Sequence, residues 1–187
     1  MKRICLFSVI ALFLYFSFPS YLFGNVPQIK DILIESTAHH MSVYAHITNC
    51  FTNDMDAAIL NGSPATFTFY LDVYQKRSYW FDKKISSAVI EHIIKYDQVK
   101  KIFVVASNLK KQTASFQDFR AAKEAMAELN GIQVVQITDL TKNNKYYLKI
   151  KAKLKRVRLP LHMEYVFFFV SMWDFETKWY VKEFGLK

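Results

Sequence analysis

Between Ala65 and Gln75 the chain alternates without a break: Phe67, Phe69, Leu71 and Val73 interleave with Thr66, Thr68, Tyr70, Asp72 and Tyr74. A period of two sends the first set to one face of a strand and the second to the other. An amphipathic helix cannot satisfy that spacing. It belongs to an antiparallel sheet with one buried and one wet face. A second such stretch runs from Lys145 to Arg158, with Leu148, Ile150, Ala152 and Leu154 on one side. Lys149, Lys151, Lys153 and Lys155 fall on the other, and Leu159-Pro160 ends the run.

Further strands are expected at Asp31–Ser36, His40–Asn49, Ser87–Tyr96, Lys101–Ser107, Ile132–Ile137, Tyr165–Trp173 and Lys178–Phe184. Asp97-Gln98 supplies the turn between two of them. Two helices interrupt the series. Asn53 with Asp56 is a capping-box pattern, and Asn61-Gly62 is a left-handed stop. The second helix is expected from about Phe116 to Leu129, with Ser115 and Asp118 at its start and Asn130-Gly131 at its end. Its apolar stripe is Phe119, Ala122, Met126 and Leu129. Together these predict a mainly β fold, an antiparallel β-sandwich or open barrel with two short helices, preceded by an N-terminal signal or anchor helix.

That leader is Met1-Lys2-Arg3 followed by Ile4 to Phe23, where only three Ser and two Tyr interrupt apolar or small residues. A short cationic segment before an apolar one is the layout of a secretory signal. The apolar run is also about 20 residues, the length that spans a bilayer as a helix. The basic end stays cytoplasmic in either case, so the rest of the chain is expected in the periplasm, soluble after cleavage or anchored by residues 4–23. The expected organisation is a signal peptide or anchor over 1–24, a linker over 25–30 and a β-rich exported domain over 31–187.

Composition narrows the chemistry. Four glycines in 187 residues leave no phosphate-binding loop, dinucleotide fingerprint or nucleophile elbow. Cys5 lies in the leader, so Cys50 has no partner for a disulfide in the folded body. The five histidines, His39, His40, His46, His92 and His162, show no metal-ligand spacing. His92 falls on the apolar face of its strand and reads as a hydrogen-bonded core residue. Asp72, Asp82 and Asp97 are acid–base candidates by type, but Asp72 reads as a wet-face residue, Asp97 as a turn and Asp82 as a corner. No catalytic, metal or cofactor residue is assigned.

The row Lys149, Lys151, Lys153 and Lys155 stands out. One reading is a binding face for anionic lipid, acidic envelope glycan or an acidic protein; the other is an edge strand protected from aggregation by charge. Four like charges on one face repel, which tilts the balance towards binding. The formal charge of +9 suits acidic partners, but export sets nucleic acid aside.

Several ordered motifs resemble an uncharacterised family of exported proteins from Gram-negative bacteria, domain of unknown function family 4390. They are Gly62-x-Pro64, Arg77 ahead of Trp80-Phe81-Asp82, Tyr96-Asp97, Phe116 to Ala121, Leu159-Pro160, and Trp173 with Trp179-Tyr180. His162 stands where the family often has Pro. The resemblance implies a membrane signalling partner and carries no activity. Arg77, Trp80, Phe81, Asp82, Trp173 and Trp179 read as scaffold, with the large rings defining a core and Arg77 and Asp82 pinning a corner. The expected function is a non-catalytic periplasmic envelope domain that binds another protein. Binding of anionic lipid or glycan through the lysine face is the alternative, and a hydrolase using Asp82 or Asp97 with a histidine ranks last.

Overall fold

The computed structural model describes residues 26–155 and 175–186. Among them the chain forms two antiparallel sheets and two helices, with no closed barrel. The smaller sheet has the order β1-β2-β7, from Gln28–Ser36, His40–Thr48 and Glu128–Gln136. The larger has the order β6-β5-β4-β3-β8-β9. Its strands are β3 Ala65–Gln75, β4 Lys83–Asp97, β5 Ile102–Ser107, β6 Lys110–Phe116, β8 Lys145–Lys155 and β9 Tyr180–Gly185. The leader, Leu159-Pro160, His162, Trp173 and the strand expected at Tyr165–Trp173 lie outside the described residues. Within them, no helix is long and apolar enough to cross a membrane.

The alternation in β3 and β8 builds the core. Phe67, Phe69, Leu71 and Val73 are buried beside Leu148, Ile150, Ala152 and Leu154 of the neighbouring strand. β4 adds Ile90 and Ile94, and β2 covers them from the other layer with Val43, Ala45 and Ile47. Ser86 Oγ donates to the Val134 carbonyl at 2.6 Å, joining β4 to β7 across the layers. Cys50 is buried in this core, which pushes its thiol up to about 12 and makes it a poor nucleophile.

The helices close the second layer. α1 (Asn53–Leu60) is capped by Thr52, whose hydroxyl accepts the Met55 N–H at 3.3 Å. This cap is one residue before the expected Asn53, because Thr52 holds the extended backbone that a cap requires. Gly62 ends the helix at φ +87°, with its N–H and that of Ser63 donating to the Ile59 and Ala58 carbonyls. α2 (Phe119–Ala127) packs on β4 and β5 and is capped by Asp118, which accepts from Arg120 and Ala121. Lys123 of α2 meets Asp56 of α1 at 2.7 Å and ties the two helices together.

Three expectations need correction. The second helix is shorter than read: Phe116 belongs to β6, opposite Phe103, and Glu128 is already extended opposite His46. Asn130-Gly131 therefore does not stop a helix. Gly131, at φ +66°, sits at a register shift between β2 and β7, where an added Cβ would lie 3.6 Å from the Tyr44 hydroxyl. β6 itself was not expected, since its sequence carries no apolar alternation. Finally, β1 begins at Gln28, inside the segment read as a linker, because Gln28 and Ile29 already pair with Thr48 and Ile47.

Phe69 is a direct test of this packing: it is 1 % exposed and its ring meets His92 edge-on at 5.3 Å. Phe69→Ala is expected to cost about 3–5 kcal/mol by denaturant titration, with the transition still cooperative.

Candidate functional site

The outer face of the six-stranded sheet follows from the same alternation that fills the core. Thr68 faces Lys153, Tyr70 faces Lys151, Asp72 faces Lys149, and Tyr74 faces Tyr147 across the β3–β8 ladder. Val181 of β9 pairs with Lys149, and Val89 of β4 pairs with Tyr70, extending the face on both sides. Thr68 is buried on this face, whereas Val89 and Val181 are exposed.

The lysines here lie on rings. Lys149 Nζ stands 5.6 Å from the Tyr74 ring centroid and 5.4 Å from that of Trp179. Lys151 Nζ stands 5.8 Å from Tyr70 and 4.9 Å from Trp179. Tyr74 and Tyr147 stack at 5.3 Å with planes 10° apart. Each cation–ring contact contributes about 0.5–1 kcal/mol at an exposed site, and the aliphatic stems cover aromatic surface as well. The row is a lattice of alternating cations and rings.

Its charge is also partly balanced. Glu176 accepts from Lys151 and lies 3.5 Å from Lys153, and these contacts hold its carboxyl below the usual range. Asp72 receives Lys84 at 2.9 Å and the Ser87 hydroxyl at 2.6 Å, and this pairing raises the Lys84 pKa. The repulsion inferred for the bare sequence is thus relieved. The alternative of a protected edge strand fails on topology: β8 lies between β3 and β9. Lys155 enters through its backbone register, opposite Thr66.

At one end of the face, Asp82 pins the β3–β4 connection, with Arg77 taking part through its backbone. Its carboxylate accepts the Arg77 backbone N–H at 3.0 Å and the Tyr147 hydroxyl at 2.8 Å. These bonds hold the Asp82 carboxyl below its ordinary value. Burial and the bond to Asp82 push the Tyr147 hydroxyl up to about 12. The expectation that Trp80 and Phe81 define a core is overturned: they are 75 % and 86 % exposed. The hairpin carries them past the end of the sheet, where no described element packs on them. Trp179, also read as core, is 40 % exposed and serves as the ring beneath two lysines.

Among the described residues, the two carboxylates weighed for hydrolysis lie far apart. Asp82 precedes β4 and Asp97 ends it, so a fifteen-residue strand of about 3.3 Å per residue separates them. Asp97 accepts the Val99 and Lys100 N–H groups as a turn residue. His92 is buried, with Nδ1 3.1 Å from the Met126 carbonyl oxygen, as read from the sequence. A cleft of about 580 Å³ between β5–β6 and β7 is lined in part by His92, Ser107, Glu128 and Asn130. Among the described residues no group of His, Cys, Asp and Glu is placed to hold a metal.

Sequence reasoning missed the aromatic half of the face. Tyr70 and Tyr74 alternate with the core residues of β3, and Tyr147 shares the odd-numbered parity of the lysines, so that signal was present. Glu176 carried no local signal, because its lysine partners are distant in sequence.

The chain belongs to the family described as domain of unknown function DUF4390, whose profile matches residues 25–183. No curated protein and no solved structure matches it.

The Asp82 clamp predicts a pH signature. Folding lowers this pKa, so its stabilisation is present above the unfolded value of about 3.9 and is lost as pH falls through the folded one. Asp82→Asn should be less stable than the parent at neutral pH, and the gap should close in acid. Urea midpoints across the two regimes check this.

Proposed function

We propose that this chain is a non-catalytic envelope domain that is carried across the inner membrane by residues 1–24, stays near its periplasmic side, and binds another protein through the outer face of its larger sheet. The observation that carries the reading is the lattice of Tyr70, Tyr74, Tyr147 and Trp179 interleaved with Lys149 and Lys151. Rings that present broad, pre-organised surface at low entropic cost are what protein interfaces concentrate at their centres. Val89, Ile93 and Val181 add exposed apolar surface around them. The tripartite layout of the leader supports the compartment, and a membrane signalling protein is the partner that the family resemblance suggests.

Glu176 and Asp72 argue for a protein over a bare anionic surface. Acids that already engage these cations lower the net field a lipid or glycan would feel. Protein interfaces, by contrast, tolerate such local pairs at their rims. Hydrolysis is not favoured, since Asp82 and Asp97 lie at opposite ends of β4.

The test is affinity purification of the tagged full chain after crosslinking in membranes. A specific partner should be enriched over an unrelated exported control. The combined substitution Trp179→Ala, Lys149→Gln and Lys151→Gln should lower its recovery at least tenfold. Recovery equal to the control, or unchanged by the substitutions, would overturn the reading.

A further inference from the structure

The β3–β4 connection presents three consecutive aromatic residues to solvent: Tyr79 is 98 % exposed, Trp80 75 % and Phe81 86 %. Turns of this kind are ordinarily built from Gly, Asn, Asp or Ser, which cost nothing to expose. A Trp and a Phe held in water together form an apolar patch that a soluble chain gains nothing by keeping. The two rings meet each other edge-on, with centroids 6.4 Å apart and planes at 79°, instead of folding back onto the sheet.

The neck beneath them is held firmly. Lys76 N–H donates to the Lys145 carbonyl at 2.8 Å, and its ammonium pairs with Glu183 of β9. Asp82 closes the loop on Arg77 N–H and on the Tyr147 hydroxyl of β8. β8 therefore braces both ends of the connection and β9 one of them. These bonds fix the base from which the aromatic tip projects, which lowers the entropy cost of ordering it on binding.

Cations collar the tip. Lys76 and Arg77 precede it and Lys83 and Lys84 follow it, with Asp82 the single acid in that stretch. Lys76 and Lys84 are ion-paired, whereas Arg77 and Lys83 form no salt bridge among the described residues. Aromatic residues at the apex with basic residues behind them match the layered chemistry of a bilayer surface. Trp and Tyr rings settle at headgroup depth, and Lys and Arg meet the lipid phosphates. A protein pocket would also accept the rings, but it would not need cations on both flanks.

We propose that this hairpin tip docks the domain on an anionic phospholipid bilayer, with Tyr79, Trp80 and Phe81 entering the interface and Arg77 and Lys83 meeting lipid phosphate. The tip adjoins the lysine–aromatic lattice through the Asp82–Tyr147 bond but uses other residues, and its docking does not depend on the protein-binding reading.

The experiment uses the full chain with Cys5→Ser, in which buried Cys50 stays silent to labelling. An environment-sensitive fluorophore is attached through Tyr79→Cys or, as a control on the other layer, through Leu33→Cys. Each protein is reconstituted into vesicles of phosphatidylcholine, or of equimolar phosphatidylcholine and phosphatidylglycerol. In the anionic vesicles the label at 79 should shift to the blue and be quenched by lipids brominated near the glycerol backbone, while the label at 33 reports water. Trp80→Ala with Phe81→Ala should reduce that quenching severalfold at unchanged circular dichroism, and so should Arg77→Gln with Lys83→Gln. A water-like signal at 79 in both vesicle types would overturn the proposal. So would shielding of the label only in intact envelopes, which would assign the tip to a protein pocket.

Discussion

Register between β3 and β8 is the constraint on which the rest of the molecule depends. The pairing runs unshifted from Thr66 opposite Lys155 to Gln75 opposite Tyr146. Because side chains alternate, a slip of one residue on either strand would exchange its two faces. Leu148, Ile150 and Ala152 would turn to water, and lysines would enter a space filled by Phe67, Phe69 and Ile90. Burying those charges unpaired costs far more than the ladder supplies. The hydrophobic half of the pattern thus holds the polar half in place. Core and candidate binding face are two sides of one specification.

This explains what was legible in the sequence. Strict alternation over eleven residues admits few alternatives, so β3 appears with the bounds and facing read from its residues. The same holds for the described part of β8 and for the faces of β4. Legibility fails where structure depends on partners remote in the chain. β6 is polar and short, and it becomes a strand because β5 offers it an edge. Asn130-Gly131 has the chemistry of a helix stop, yet β2 recruits Glu128 and Leu129 into a ladder first, and the positive φ of Gly131 then serves a register shift. Trp80 and Phe81 show that size and apolarity do not decide burial at the end of a hairpin. The Glu176 pairs and the Asp82–Tyr147 bond join segments that no local pattern connects.

Five of the aspartates serve structure: Asp56 pairs with Lys123, Asp72 with Lys84 and Ser87, Asp82 holds the hairpin neck, and Asp97 and Asp118 serve a turn and a helix cap. Buried His92 is set within the core, beside the Phe69 ring. Two surfaces stand out among the described residues. One is the ring-and-lysine lattice of the large sheet; the other is the aromatic tip at its end. The tip suits a bilayer and the lattice suits a partner that the bilayer keeps close.

Site-specific photocrosslinking in living cells tests most directly that the outer face of the large sheet is the working surface. A photoreactive residue at Val89 or Val181, both on that face, is compared with one at Leu33 on the smaller sheet. One shared adduct is expected from Val89 and Val181 and none from Leu33. An adduct from Leu33 alone, or none from either valine, would contradict it.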